Sequence, residues 1–131
     1  MYKYGKKSRA RLDTCVQPMR LVMDAAIEVM DIKILDGNRD QERQDEAFES
    51  GHSKKKFPGS KHNKKPSPAL DAAPYPIDWE DRERFTFMAG VIIGIGHTMG
   101  ITIRWGGDWD RDRDMKDNNF DDLVHFEIVD G

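Results

Sequence analysis

The chain has a single cysteine, Cys15, among 131 residues. That excludes an intrachain disulfide and any metal site built from clustered thiolates, so the fold must form without covalent staples. Long apolar runs are missing as well. None approaches the about 18 residues that a membrane-spanning helix needs. The opening residues, MYKYGKKSRARLD, are basic, but no apolar stretch follows them, which is not the pattern of a secretory signal. A large excess of one charge is also absent. The 24 acids against 21 bases leave a net charge of -3, which gives no general attraction to nucleic acid. No internal repeat or long linker divides the chain, and residues 1–131 read as one domain with one core.

What is present is a series of short elements. PMRLVMDAAIEVM (18–30) spaces Met19, Val22, Met23, Ala26 and Met30 as one face of a helix. IKIL (32–35) reads as a strand stopped by DGN. A polar helix is expected over residues 40–50, with Gly51 ending it. Residues 51–68 form a Lys/Pro/Gly/Ser loop, and ALDAA (69–73) a short strand. Asp78 is the expected cap of a helix through WEDRERFTFMAGVIIGIGHTM, where Phe85, Met88, Ala89, Ile92, Ile93 and Gly96 share a face. Gly94 and Gly96 suggest close packing there, and Gly100 ends the helix. ITIRW (101–105) and LVHFEIV (123–129) alternate as strands. The order implies an α+β fold, a small antiparallel sheet packed with helices.

Of four histidines, His97 and His52 read as structural or solvated, while His125 sits in a strand directly after two acids, DDLVHFE. Taken together, His62, Asp71 and His125 offer two imidazoles and a carboxylate. That set suits zinc, with a fourth position left for water. Asp122, three residues before His125, is placed to take a proton beside such a metal.

The pieces also occur in a recognisable order. Ser60-x-His62, a short loop, Ala69-x-Asp71 and DAAPY are followed by RWGGDW (104–109) and by Asp122-x-x-His125 with FEI. Arg39 and Gln44 open the helix after the first strand as Arg-x-x-x-x-Gln. In this the chain resembles the zinc peptidases related to VanY, the D-Ala-D-Ala carboxypeptidases, and most of all their phage relatives, the L-alanyl-D-glutamate endopeptidases used as endolysins. The resemblance runs from YGKKS to HFEIV. The loop NKKPSP departs from it, being two residues longer than usual and lacking a glycine. Such an insertion costs little in a surface loop, but it leaves His52 as an alternative ligand.

The resemblance implies a hedgehog/D-Ala-D-Ala peptidase-like zinc fold with one zinc ion on His62, Asp71 and His125. It implies Asp122 as general base and Arg39, Gln44 and Ser60 as substrate-binding residues. The substrate is then bacterial peptidoglycan, cut by a monomeric enzyme at the L-Ala-D-Glu bond of its stem peptide. The enzyme would be made in the host cytoplasm without a signal peptide and act on the wall after release, without membrane insertion. Two other readings stay open: a D-Ala-D-Ala carboxypeptidase, or a non-catalytic module, since hedgehog domains share the fold without implying hydrolysis.

Several residues carry two readings. Arg39 binds substrate or pairs with Asp40 or Glu42; Ser60 serves the site or a turn; Glu127 orients a ligand or is solvated. Trp105 reads as core, whereas Trp109 lines the cleft or is core. Asp110, Asp112 and Asp114 have the spacing of a calcium loop, yet Met115 replaces its glycine and Asp121 its bidentate glutamate, so calcium competes with a flexible acidic loop.

Overall fold

The structure, a computed structural model, describes residues 1–114, 116 and 121–129. Its strands are β1 (Ile32–Asp36), β2 (Ala69–Pro74), β3 (Ile103–Gly106) and β4 (Asp122–Ile128). They form one antiparallel sheet in the order β1-β2-β4-β3. Its helices are α1 (Lys6–Leu12), α2 (Gln17–Ala26), α3 (Gln41–Glu49) and α4 (Arg82–Thr98); α1 packs on β1, and α4 packs on the sheet with α2 against it. This is the α+β architecture expected from the order of elements.

Strand alternation gives the sheet two different faces. Across one face run Leu70, Phe126 and Trp105, paired from β2 through β4 to β3. They join a core with Met19, Val22, Met23 and Ala26 of α2 and Phe85, Met88, Ala89 and Ile92 of α4. The next positions along the strands must face the other way. Those are the cross-strand pair Asp71–His125 and the row Ala69–Glu127–Arg104. The apolar face builds the fold, and the polar face carries the site.

Local signals hold at several places. Asp40 caps α3, its carboxylate accepting the Arg43 N–H, and Gly51 ends the helix at φ +84°. Gly100, at φ +72°, ends α4. Gly96 is tight, since a Cβ there would lie 2.8 Å from the Ile101 carbonyl oxygen, whereas Gly94 faces open space.

Elsewhere the boundaries differ. Helix α4 begins at Arg82 and is capped by Asp81, not Asp78. The Asp78 carboxylate accepts the Glu80 N–H in a preceding turn instead. Helix α2 stops at Ala26 rather than reaching Met30. Helix α1 has no apolar stripe to announce it, since only Ser8 and Leu12 are buried. It forms against the edge strand: Ser8 Oγ accepts the Ile34 N–H at 3.0 Å, and Arg11 donates to the Ile34 carbonyl at 3.0 Å. The free backbone of an edge is thereby covered.

Candidate metal centre and active site

Asp71 and His125 sit opposite each other on β2 and β4, so the sheet register alone brings them together. His62 arrives from the long loop, in a 3-10 turn over Lys61–Asn63. That turn is fixed at several points. Ser60 Oγ accepts the His62 N–H, Arg39 N–H donates to the His62 carbonyl at 2.6 Å, and Asn38 donates to the carbonyls of His62 and Lys64. The loop residues Lys64, Lys65 and Pro66 that follow the turn are exposed, while His62 is buried. His52, the alternative ligand, lies outside the cluster; its ring Nδ1 meets Ser50 Oγ at 2.6 Å.

The hydrogen bonds decide what the three side chains can do. His62 Nδ1 lies 2.7 Å from the Gly37 carbonyl, which can only accept, so Nδ1 is the donor and in the neutral ring Nε2 is the lone pair. His125 Nε2 lies 2.8 Å from Glu127 Oε1, again an acceptor, which leaves Nδ1 free to ligate. His62 Nε2, His125 Nδ1 and Asp71 Oδ1 then face one another at 3.2 to 3.4 Å. Two imidazole lone pairs and a carboxylate oxygen converge, which is unfavourable unless a cation sits among them. A tetrahedral ion with bonds of about 2.0–2.1 Å has ligand–ligand edges of roughly 3.3–3.4 Å, so the spacing fits such an ion.

The electrostatics agree. Burial alone would lower the His125 pKa, but hydrogen bonds to Asp71 and Glu127 raise it to about 9. Burial would raise Asp71, yet its bonds to His125 and His62 hold its carboxyl well below the usual range. Glu127 is likewise depressed against its burial by His125, Lys61 and Arg104. The pocket favours positive charge, and without a metal a proton on His125 supplies it. Glu127 is the partner that orients His125: it is buried, with its second oxygen held by Lys61 at 2.5 Å and Arg104 at 2.6 Å. Lys61 and Arg104 had no signal in the sequence, because their role depends on where Glu127 points.

Asp122 lines the same cleft, a cavity of about 500 Å³ with His62, Asp71 and His125 on its wall. Burial, and then the negative charge of Asp71, push its pKa up. Gly106 pairs with Asp122, and a Cβ on Gly106 would overlap the Asp122 carbonyl. Gly106→Ala should therefore destabilise the fold by about 1–3 kcal/mol, the usual cost of overpacking. It should also slow hydrolysis by displacing Asp122. Denaturant midpoints and rates on cell wall check both effects, and an unchanged midpoint would contradict the close approach.

The remaining expected residues fall into different places. Arg39 is buried and lines the cleft, but its partners are not Asp40 or Glu42. It donates to Asp36 at 2.9 Å, Gln44 at 2.8 Å and the second oxygen of Asp71 at 3.3 Å. Ser60 lines the cleft while capping the turn of His62. Gln44 is fully buried and braces the site from behind. Its amide N–H groups bond Ser53 Oγ and the Lys55 carbonyl, and its oxygen accepts from Arg39 and Asn63. Trp105 is core, its indole N–H on the Leu123 carbonyl at 2.8 Å. Trp109 lies beside His125, ring centroids 5.4 Å apart.

In the acidic loop the carboxylates that approach one another are Asp108, Asp110 and Asp112, one step earlier than the expected Asp110, Asp112 and Asp114. Much of their capacity goes to the loop itself, whose backbone N–H groups at Asp112, Arg113 and Asp114 bond Asp110, Asp108 and Asp112. Met115 lies outside the described residues.

A His–Asp–His cluster with both histidines buried, at the wall of an open cleft and with a carboxylate beside it, is an arrangement that suits a metal-dependent hydrolase. The chain belongs to the family of phage L-alanyl-D-glutamate peptidases, whose family model matches residues 1–129. It is 32% identical over 121 residues to the L-alanyl-D-glutamate peptidase of Escherichia phage T5, covering 88% of each chain. Its fold matches the crystal structure of the Serratia marcescens L-Ala D-Glu endopeptidase ChiX, with a TM-score of 0.70 at 20% identity. That match covers 98% of this chain and 90% of the other. The protein is thus a peptidoglycan peptidase of the phage endolysin type.

Proposed function

We propose that His62 Nε2, Asp71 Oδ1 and His125 Nδ1 hold one zinc ion, and that the site hydrolyses the L-Ala-D-Glu bond of the stem peptide with Asp122 as general base. The observation that carries this reading is the convergence of two ring nitrogens and a carboxylate oxygen at 3.2 to 3.4 Å. Zinc, when bound there, supplies a Lewis acid that activates water and polarises the scissile carbonyl. Asp122 accepts the proton from the attacking water and returns it to the leaving amine. Its raised pKa suits both halves of that task.

Arg39 holds Asp71 in orientation through one guanidinium nitrogen. Arg39 also lines the cleft, and planar guanidinium geometry suits a substrate carboxylate or carbonyl there. Ser60 fixes His62, and Gln44 acts through Arg39 and the 53–55 loop without touching substrate. All of these residues come from one chain, so a monomer suffices. Action on the wall after release from the producing cell fits this assignment.

Cleavage of isolated cell wall followed by mass spectrometry tests the bond. New amino-terminal D-Glu is expected. Release of free D-Ala alone would move the assignment to a carboxypeptidase, and zinc without hydrolysis on any wall type would leave a binding module.

A further inference from the structure

The cleft is lined by two chemically unlike segments. One is the loop after α3, Ser53–Lys55, which Gln44 ties down from below. Together with Lys61 it carries the lysines of the lining, Lys54, Lys55 and Lys61. The other is Trp79 with Phe85 and the start of β4. There Arg82 and Asp121 neutralise each other at 2.7 Å.

Trp79 is 62% exposed, yet it is not loose. Its ring stacks on buried Phe85, centroids 5.8 Å apart and planes 22° from parallel. A plain role is to staple the start of α4, since Trp79 lies just before the Asp81 cap and Phe85 in the first turns. A staple, however, buries its ring against the partner. Here one face is fixed on Phe85 and most of the indole is left to the cleft. A rigid, exposed aromatic plate beside a reaction centre is a binding surface for a flat, apolar face.

The substrate named under the proposed function says what that face is, and the inference rests on that reading. On the D-Glu side of the scissile bond the first group is anionic, the free carboxylate of the γ-linked glutamate. On the L-Ala side the chain is neutral. L-Ala is joined through a lactyl group to the muramoyl sugar, and that span equals about two residues, roughly 7 Å when extended. The sugar therefore enters the cleft whenever the bond reaches the metal ligands. A pyranose ring presents one face of C–H groups, which stacks on an indole. The lysine segment suits the anionic side, and Asp121 and Asp122 near the aromatic segment disfavour it there.

We infer that Trp79 is the platform for the N-acetylmuramoyl sugar, so that stem peptide binds with its glycan over Trp79 and its D-Glu toward Lys54 and Lys55. The platform contacts substrate equally before and during reaction, so it acts on KM and not on kcat.

The test compares two peptides on the zinc-loaded enzyme: a muramoyl peptide containing L-Ala-D-Glu, and the same peptide with N-acetyl in place of the muramoyl group. Trp79→Ala should lower kcat/KM about tenfold on the muramoyl peptide, through KM, the size of one lost aromatic contact. On the sugar-free peptide it should stay within about twofold, and Trp79→Tyr should restore most of the loss. Equal loss on both peptides, or none on either, overturns the platform. Unchanged zinc content and thermal midpoint exclude a folding defect. Failure of the wild type to cleave either peptide would reject the hydrolytic reading instead. Binding of the two peptides by calorimetry then decides the platform: it stands only where Trp79→Ala weakens the muramoyl peptide selectively, and falls otherwise.

Discussion

Asp122→Asn is expected to fold, to keep its metal and to lose about a hundredfold to ten-thousandfold in hydrolysis, the usual weight of a general acid/base. The two side chains have nearly the same shape, so the packing of Asp122 against Gly106 survives the change. The amide cannot accept a proton at neutral pH, and the attacking water loses its base. Metal content should not fall, because Asp122 is not among the three converging donors. Asp121→Asn is the control. Its carboxylate pairs with Arg82 at the surface, and exposed pairs contribute about 0–1 kcal/mol. Wall-lysis rates at equal zinc occupancy make the comparison. Near-wild-type lysis by Asp122→Asn would remove the proposed base.

The parts of this site that were legible in sequence are those set by local rules. Alternation in LVHFEIV places His125 and Glu127 on one face, and the structure keeps them there, with Glu127 as the partner of His125. Asp71 could be read as a buried acid needing a partner, because its neighbours Leu70 and Ala72 are core. His62 could not be positioned from spacing, since its place depends on Asn38, Arg39 and Ser60 gripping a loop with little regular structure. Arg39 and Gln44 show the same limit from the other side. The structure joins the two to each other and Arg39 to Asp71, but a motif does not distinguish a side chain that meets substrate from one that braces its neighbours. That Gln44 is fully buried and bonded to the 53–55 loop is visible only in the folded chain. Helix α1 was invisible because tertiary contacts to the edge of β1 stabilise it, not an apolar stripe of its own.

His125→Ala is expected to remove the metal and, with it, measurable hydrolysis, while leaving a folded protein. The loss of affinity should exceed the tenfold to hundredfold typical of a supporting residue, because a ligand itself is deleted. Folding should survive because no carboxylate is stranded. Glu127 retains Lys61 and Arg104, and Asp71 retains Arg39. The apolar face of the sheet, with Phe126 beside the substitution, is untouched. Two measurements separate loss of metal from loss of fold. Metal analysis after dialysis should find one zinc per wild-type chain and almost none in the variant. Added zinc should raise the thermal midpoint of the apo wild type, since a ligand at a hundred times its Kd stabilises the native state by about 2.7 kcal/mol. The variant's midpoint should not respond. Full zinc content in a folded His125→Ala protein would place the metal elsewhere, and the three converging donors would then have to be explained by a proton on His125 alone.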